Sequence, residues 1–540
     1  MNTNDDVVYD VIQIGYGPVS EISALMLARQ GHRVAVFERW TERYPLPRAV
    51  CIDHEIYRVL AANGLRDELP GVSHPAPPYR WFNAEWKELL HIDWSAESIS
   101  GGTEVNFVHQ PTLERMFDRA VRARPEIEVN LGWEVQHVRQ TPDYAEVVAR
   151  HVDSGELRIA RARYVLGADG ANSMVREAIG GAREDRGFEA DWLVIDILPN
   201  EGVTLDVPAA AQYCNPARPT TIVPAGVCDG RHYRRWEFMR MPGESREELE
   251  NEATAWRLLA PWVRPDQATM VRHKLYTFRS LIADTWRRGR LLIAGDAAHV
   301  MPPFMGQGMC AGLRDAWNLS WKLHLVLTGQ AHDSLLDTYQ EERRPHASDI
   351  VDLSMYLGKV ICIPDAEAAA RRDQAFFDGS MPPPPPFPSL TTGLIDRAGG
   401  SVAGKLSPHG MVRYQGRIGR FDDVVGLGFT LVLRGPAEKA ALTPASADAA
   451  QRLGVRIVQL DDEGMAPGAV LDLDGKFGAF MDGHGARAML VRPDFYVYGS
   501  TARSSGIAGL LGRLEAALDR YGVKPSAVES GIACTAASGS

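Results

Sequence analysis

The sequence predicts an α/β protein in which a domain of β-α-β units is interrupted by a sheet-rich insert and followed by a second α/β domain. Three observations predict it. A glycine-punctuated β-α-β unit opens the chain, and the same style returns after Arg290. Between them, from about Trp192 to Phe278, lie strand-like runs such as WLVIDIL, TTIVPA and YRRWEFMRM. After the run MPPPPPFP at Met381–Pro388, which can hold neither a helix nor a central strand, strands and helices alternate again.

The composition suits such a plan. The 540 residues allow three or four units at roughly 150 residues each. With 45% hydrophobic and 24% charged residues the chain can build a large core, which excludes disordered, collagenous and disulfide-stapled classes. A net charge of −11 argues against a general nucleic-acid or anionic-membrane binder. The six cysteines (Cys51, Cys214, Cys228, Cys310, Cys362, Cys534) form no C-x-x-C pair, so neither a zinc ribbon nor a dithiol is expected, and no metal site. The acidic start MNTNDDVVYD has no apolar signal region, and no apolar run is long enough to span a bilayer. A cytoplasmic protein is expected.

The first unit runs from the strand VVYDVIQI (Val7–Ile14) through Gly15-Tyr16-Gly17-Pro18-Val19-Ser20 into a helix, then into a strand ending at Glu38. This is the Rossmann-like fingerprint. Gly15 allows the tight turn, and Gly17 removes the Cβ that would block a pyrophosphate from the helix N-terminus, where unpaired N–H groups favour an anion. Ser20 replaces the third glycine and is small enough for close helix–strand packing. Glu38 is placed to accept hydrogen bonds from ribose hydroxyls and would repel a 2′-phosphate, so FAD or NAD is expected rather than NADP.

The segment RYVLGADGANSMVREAIG (Arg163–Gly180) reads as a strand delivering Asp169 to a turn, with Ser173 capping the next helix. In RLLIAGDAAHVMPPFMGQGMCAGLRDAWNLSWKL (Arg290–Leu323), a strand ends at Gly295-Asp296 and Gly306-Gln307-Gly308 opens a long helix. Asp296 can bond a polyol hydroxyl, and the N–H groups at Gly308–Cys310 suit an electron-rich ring. In the last part, Phe429–Gly435, Val455–Leu460 and Ala488–Gly499 read as buried strands and Ser505–Arg520 as a helix. That part is read as structural or dimer-forming.

GYGPVS with Glu38, GADGANSMVR and RLLIAGDAAHVMPP…GQG together resemble the class A FAD-dependent aromatic monooxygenases. YPLPRAVCIDHE, YCNPARP, RRWEFMRMPGE and LLDTYQEERRPHA extend the likeness to 3-(3-hydroxyphenyl)propionate hydroxylase-like phenolic hydroxylases. The resemblance implies this plan: 1–185 and 286–365 form the FAD-binding domain, 186–285 the substrate-binding sheet, 366–400 a proline-rich linker and 401–540 a thioredoxin-like C-terminal domain. It implies FAD held by Gly15, Gly17, Pro18, Glu38, Arg39, Arg48, Gln110, Asp169, Asp296, Pro303, Gly306, Gly308, Met309 and the backbone of Cys310, where the family often has asparagine. NADH or NADPH would reduce the flavin, and O₂ would add to give a C4a-hydroperoxide that hydroxylates a small phenolic substrate.

Within that reading Asp53 is the expected base for the phenolic proton, and equally a helix N-cap. His54 is an alternative relay, and Tyr276 either orients the ring hydroxyl or is an ordinary sheet aromatic. One of Arg234 and Arg235 would bind a substrate carboxylate, since neighbours on a strand face opposite ways. Pro303 would set a backbone carbonyl beside the substrate. Two alternatives stand beside a 3-(3-hydroxyphenyl)propionate-like substrate: a polycyclic or antibiotic-type aromatic, or a flavin-binding protein that no longer transfers oxygen.

Overall fold

The computed structural model describes residues 9–398, 400–462 and 468–524; Val7, Val8 and Cys534, named above, lie outside them. A parallel sheet carries the first domain in the order Leu291–Ile293, Leu157–Gly167, Tyr9–Ile14, Val34–Glu38, Ile127–Leu131. These strands are apolar on both faces because helices cover both: Val11, Ile12, Val34 and Val36 are fully buried. Their C-terminal ends bring Gly15, Glu38, Asp169 and Asp296 to one edge, where open α/β sheets bind ligands.

The second sheet is antiparallel at its centre, where Arg183–Pro199 lies between Ala268–Ala283 and Arg231–Met239. Thr220–Cys228 and Ala211–Tyr213 extend it, and the hairpin Tyr79–Phe82/Glu88–Ile92 closes its far edge. The sheet is therefore not drawn from 186–285 alone, because two strands from within 1–185 complete it. Its two faces differ, as strict alternation requires. Leu193, Ile195, Trp236 and Phe238 pack under the helices near Leu249–Leu259. Trp192, Asp196, Arg235, Glu237 and Met239 face the other way, toward the first domain.

The third sheet has seven strands, with Thr430–Leu433 between Arg456–Asp461, which is parallel to it, and Ala488–Val491, which is antiparallel. The segment Ala488–Gly499 is not one strand but a hairpin. Pro493 cannot donate to a ladder, and Phe495 has φ 74°, so the chain turns over Arg492–Phe495 before Val497–Thr501.

Nor does this domain stand apart behind its linker. Phe429, Leu431, Leu490 and Phe495 belong to the same apolar core as Leu313, Leu319 and Leu323 of the long helix Gly308–Leu327. Three buried charged clusters cross the seam: Arg58 with Asp422, Arg314 and Glu55 with Tyr496, and Glu342 with Arg492. Among the described residues no helix is long and apolar enough to cross a membrane.

Candidate functional site

The site begins at the glycine turn. Gly15 has φ +96°, and a Cβ there would lie 2.4 Å from the carbonyl oxygen of Ala168, so strand and turn close only around glycine. Gly17 caps the helix Pro18–Arg29 with no side-chain cap, Pro18 takes the first turn, and a Cβ on Gly17 would meet nothing within 4 Å. That open space in front of unpaired N–H groups is what a pyrophosphate requires. Ser20 is buried with its hydroxyl 2.6 Å from the Gln13 amide, so its small size serves the helix–strand contact. Glu38 accepts hydrogen bonds from the backbone N–H groups of Tyr16 (2.8 Å) and Trp40 (3.0 Å). It pins the glycine loop, with lone pairs left for ribose hydroxyls. Arg39 is exposed and lies over the Trp40 ring.

Across the cleft, Asp296 is the most telling group. Its side chain is solvent-accessible and, among the described residues, makes no hydrogen bond, although protein surrounds it closely enough for desolvation to raise its pKa. Arg48 is exposed and near enough for its charge to act on Asp296 in the opposite sense. The turn carrying Asp296 is held from below: Asp315 accepts from the Gly295 N–H (3.0 Å) and lies 2.6 Å from His299 Nε2. His299 is thus a support of the turn.

Gly306, at φ +64°, ends the Pro303–Met305 turn, and Gly308 starts the long helix, whose N-cap Gln307 turns its amide oxygen to Arg314 instead of the helix end. The helix N-terminus is left open for an electron-rich ring. Met309 is half-buried; the Cys310 thiol is buried against the carbonyls of Gly306 and Cys51. The open helix ends, the space before Gly17 and the bare Asp296 carboxylate fit FAD. Asp296→Ala is expected to weaken FAD retention at least about tenfold, since hydrogen bonds to charged groups contribute about 1.5–3 kcal/mol. Titration of the apoprotein by flavin fluorescence reads the change.

Other expected residues hold the protein together. Gln110 accepts from the N–H groups of Arg48 (2.8 Å) and Ala49 (2.5 Å) and donates to Glu114, so it positions the Arg48 loop with its amide already engaged. Asp169 caps the helix Met174–Ile179 through the Met174 N–H, and Ser173 caps the same helix through the Arg176 N–H. Asp169 keeps one oxygen, Oδ1, buried and, among the described residues, without a partner.

Asp53, expected as the base and equally as a helix N-cap, has both oxygens engaged. Its Oδ1 accepts from the Ile56 N–H (3.0 Å), the helix-cap role, and its Oδ2 accepts from Arg314 (2.5 Å). Burial would raise its pKa, but Arg314, His54 and the cap N–H together hold it below the usual value, which leaves a weak base with both oxygens engaged. His54 points elsewhere, to Ser100 (3.0 Å) and Glu104 (3.4 Å).

Both arginines of the RRW segment donate to the protein itself, although Arg234 keeps its buried Nε–H without a partner among the described residues. Arg235 donates to Asp196, Pro47 O and Arg48 O. Arg234 donates to Ala209 O (2.8 Å) and Pro208 O (2.5 Å), and desolvation pushes it down to about 10. Tyr276 lies on the inner face of the sheet beside Arg272 (3.1 Å) and Tyr44, with its phenol raised chiefly by burial. Two residues escaped sequence reading: Arg314, whose carboxylate partners Asp53 and Glu55 lie 261 and 259 residues away, and Glu237. The signal for Glu237 was an acid set between the aromatic residues Trp236 and Phe238, two positions from Arg235.

The chain matches the FAD binding domain family over residues 8–354 and the HcaD C-terminal domain over 404–517. It is 36% identical over 524 residues to a probable NADH-specific resorcinol 4-hydroxylase of Rhodococcus jostii, covering 96% of this chain and 97% of that one. It is 32% identical to a 3-(3-hydroxy-phenyl)propionate/3-hydroxycinnamic acid hydroxylase of Mycolicibacterium gilvum, covering 90% and 88% of the two. Among solved structures, aklavinone-11 hydroxylase in complex with FAD and aklavinone shares the fold, with TM-score 0.74 and 24% identity over 96% of this chain and 100% of that one.

Proposed function

This chain belongs to the FAD-dependent aromatic monooxygenases, and within that family we propose that it hydroxylates a small, uncharged phenol with NADH as electron donor. One observation carries the choice of substrate. The cations on the inner face of the sheet, Arg235 and Arg272, both have Asp196 as carboxylate counterion, at 2.7 and 2.8 Å, so among the described residues neither charge there is left unpaired to await a substrate carboxylate, although Arg272 keeps its Nε–H unbonded. Beside Glu237 and Tyr276, that face carries an apolar and aromatic wall: Trp192, Met239 and Phe278 pack with Phe304 of the turn before the long helix. The named activity of the Rhodococcus jostii relative supports the same substrate class and the choice of NADH. Dependence on NADH in turn supports a cytoplasmic place of work.

Bound FAD would supply hydride acceptance from NADH and the activation of O₂. The protein's own residues supply the rest. Gly17 and the first helical turn behind Pro18, which itself has no N–H, present backbone N–H groups for the pyrophosphate, Asp296 a polyol acceptor, and the helix starting at Gly308 a positive end for the ring's charge. The aromatic wall of Trp192 and Phe304 keeps water from the reacting atoms. Tyr276, kept a neutral phenol by its raised pKa, can donate to a ring hydroxyl.

The test is NADH consumption and product mass with resorcinol, 3-(3-hydroxyphenyl)propionate and a polycyclic phenol. Resorcinol is expected to gain one oxygen with the highest kcat/KM. A preference of more than about tenfold, or 1.4 kcal/mol, for the propionate or the polycycle would overturn the uncharged, monocyclic reading. NADH oxidation with no oxygenated product would overturn the hydroxylase reading itself.

A further inference from the structure

Glu237 stands where a substrate's hydroxyl needs an acceptor. It lies on Arg231–Met239 opposite Val194 and Thr221, and its neighbours Trp236 and Phe238 turn into the helix-covered core. By alternation Glu237 faces the first domain with Arg235 and Met239. There Met239 packs with Trp192, Cys51 and Phe304, and the Cys51 thiol is 3.9 Å from Gly306 O at the entrance to the long helix.

Its carboxylate is only 12% exposed, yet among the described residues it accepts no hydrogen bond. Its nearest cation, Arg235 Nη1, is 3.7 Å away, and that guanidinium is already committed to Asp196, Pro47 O and Arg48 O. A buried carboxylate ordinarily collects donors, as Asp196 does on the same face from Arg235 and Arg272. Glu237 instead retains acceptor capacity beside an aromatic wall.

We propose that Glu237 is the general base of the reaction, accepting the proton of the substrate's phenolic hydroxyl. This assignment rests on the phenol-hydroxylase reading above. The substrate O–H bond breaks, its electron pair stays on oxygen and makes the ring a stronger nucleophile, and the proton moves to the Glu237 carboxylate, which later returns it to solvent.

The electrostatics agree. Desolvation raises the Glu237 pKa, the charge of Asp196 adds to the rise, and Arg235 and Arg272 oppose it. The other titratable groups around it are Cys51 and Tyr79, both pushed up mainly by burial with the Glu237 charge adding to it, so they remain neutral. Glu237 is therefore the stronger base of the two carboxylates, since Arg314 holds Asp53 down. With a folded pKa above its ordinary value, Glu237 gains basicity, and activity falls as pH drops through that raised pKa.

The experiment compares the FAD-loaded wild type with Glu237→Gln and Glu237→Asp, using resorcinol. Flavin content and NADH reduction without phenol report an intact cofactor site. Glu237→Gln is expected to keep its flavin, to lose about 10²–10⁴-fold in hydroxylation kcat, and to lose the acid limb of the kcat profile. Glu237→Asp should keep that limb with a reduced rate. Unchanged kcat and an unchanged acid limb in Glu237→Gln would overturn the proposal. If Glu237→Gln does not retain FAD, an unaltered rate in Glu237→Asp overturns it instead. Absence of oxygenated product with the wild type would remove the phenol-hydroxylase reading, and this assignment with it.

Discussion

Arg492→Met is expected to lower the stability of the protein by about 3–5 kcal/mol, the range found when one partner of a buried ion cluster is removed. Arg492 is fully buried and donates to both oxygens of Glu342 (3.0 and 2.6 Å), both oxygens of Asp494 (3.0 and 2.6 Å) and Leu394 O (2.8 Å). Without it, two carboxylates stay dry with, among the described residues, Lys322, the Asn318 amide, the Trp321 N–H and the Leu394 N–H as partners. The cluster joins the long helix and its successor to the C-terminal hairpin, so the loss should loosen the seam between the domains.

Urea unfolding reads the loss, and proteolysis in Met381–Pro388 reads the loosening; a change below about 1 kcal/mol would show that the cluster contributes no more than an exposed pair. The pH dependence has a definite sign. Arg492 and Lys322 hold the Glu342 carboxyl far below its usual range against the rise from burial. Its stabilisation is therefore complete above the unfolded pKa of about 4.3 and is lost as the pH falls below it. Arg492→Met should flatten that acid slope.

Gly15→Ala is expected to yield a protein that no longer retains FAD. The added methyl would sit 2.4 Å from Ala168 O and 2.9 Å from Ala168 C, and these are backbone atoms that no side-chain rotation can move. The neighbouring strand would have to shift, carrying Asp169 with it, while the turn also bears the positive-φ penalty of about 1–2 kcal/mol. Gly31→Ala is the matched control. Gly31 has φ +83° but nothing within 4 Å of a Cβ, so it should show the conformational penalty alone and stay yellow. Equal flavin content in the two variants would mean that the close approach at Ala168 does not matter.

Much of this protein was legible in its sequence because the relevant physics is local. Gly15, Gly17 and Glu38 follow one another within one β-α-β unit, and the strand Leu291–Ile293, the turn that carries Asp296 and the glycines opening the long helix lie within one short stretch of sequence. The insert's strands announced themselves as β-branched and aromatic runs. The hairpin at Ala488–Thr501 was less legible, since its apolar run continues on both sides of Pro493.

What the sequence determined alone was the fold class and the dinucleotide cleft, because periodicity, chain-stiffening residues and backbone freedom act over a few positions. What only the tertiary structure decided was the partner of each buried charge. Asp53 and Arg314 are 261 residues apart, Glu342 and Arg492 are 150 apart, and Arg235 finds its acceptors on two other segments. A desolvated charge is stable only beside its counterion, and which charges meet depends on how distant elements pack. That packing turns Asp53 into a helix cap and counterion, and leaves Glu237 with an acceptor to spare.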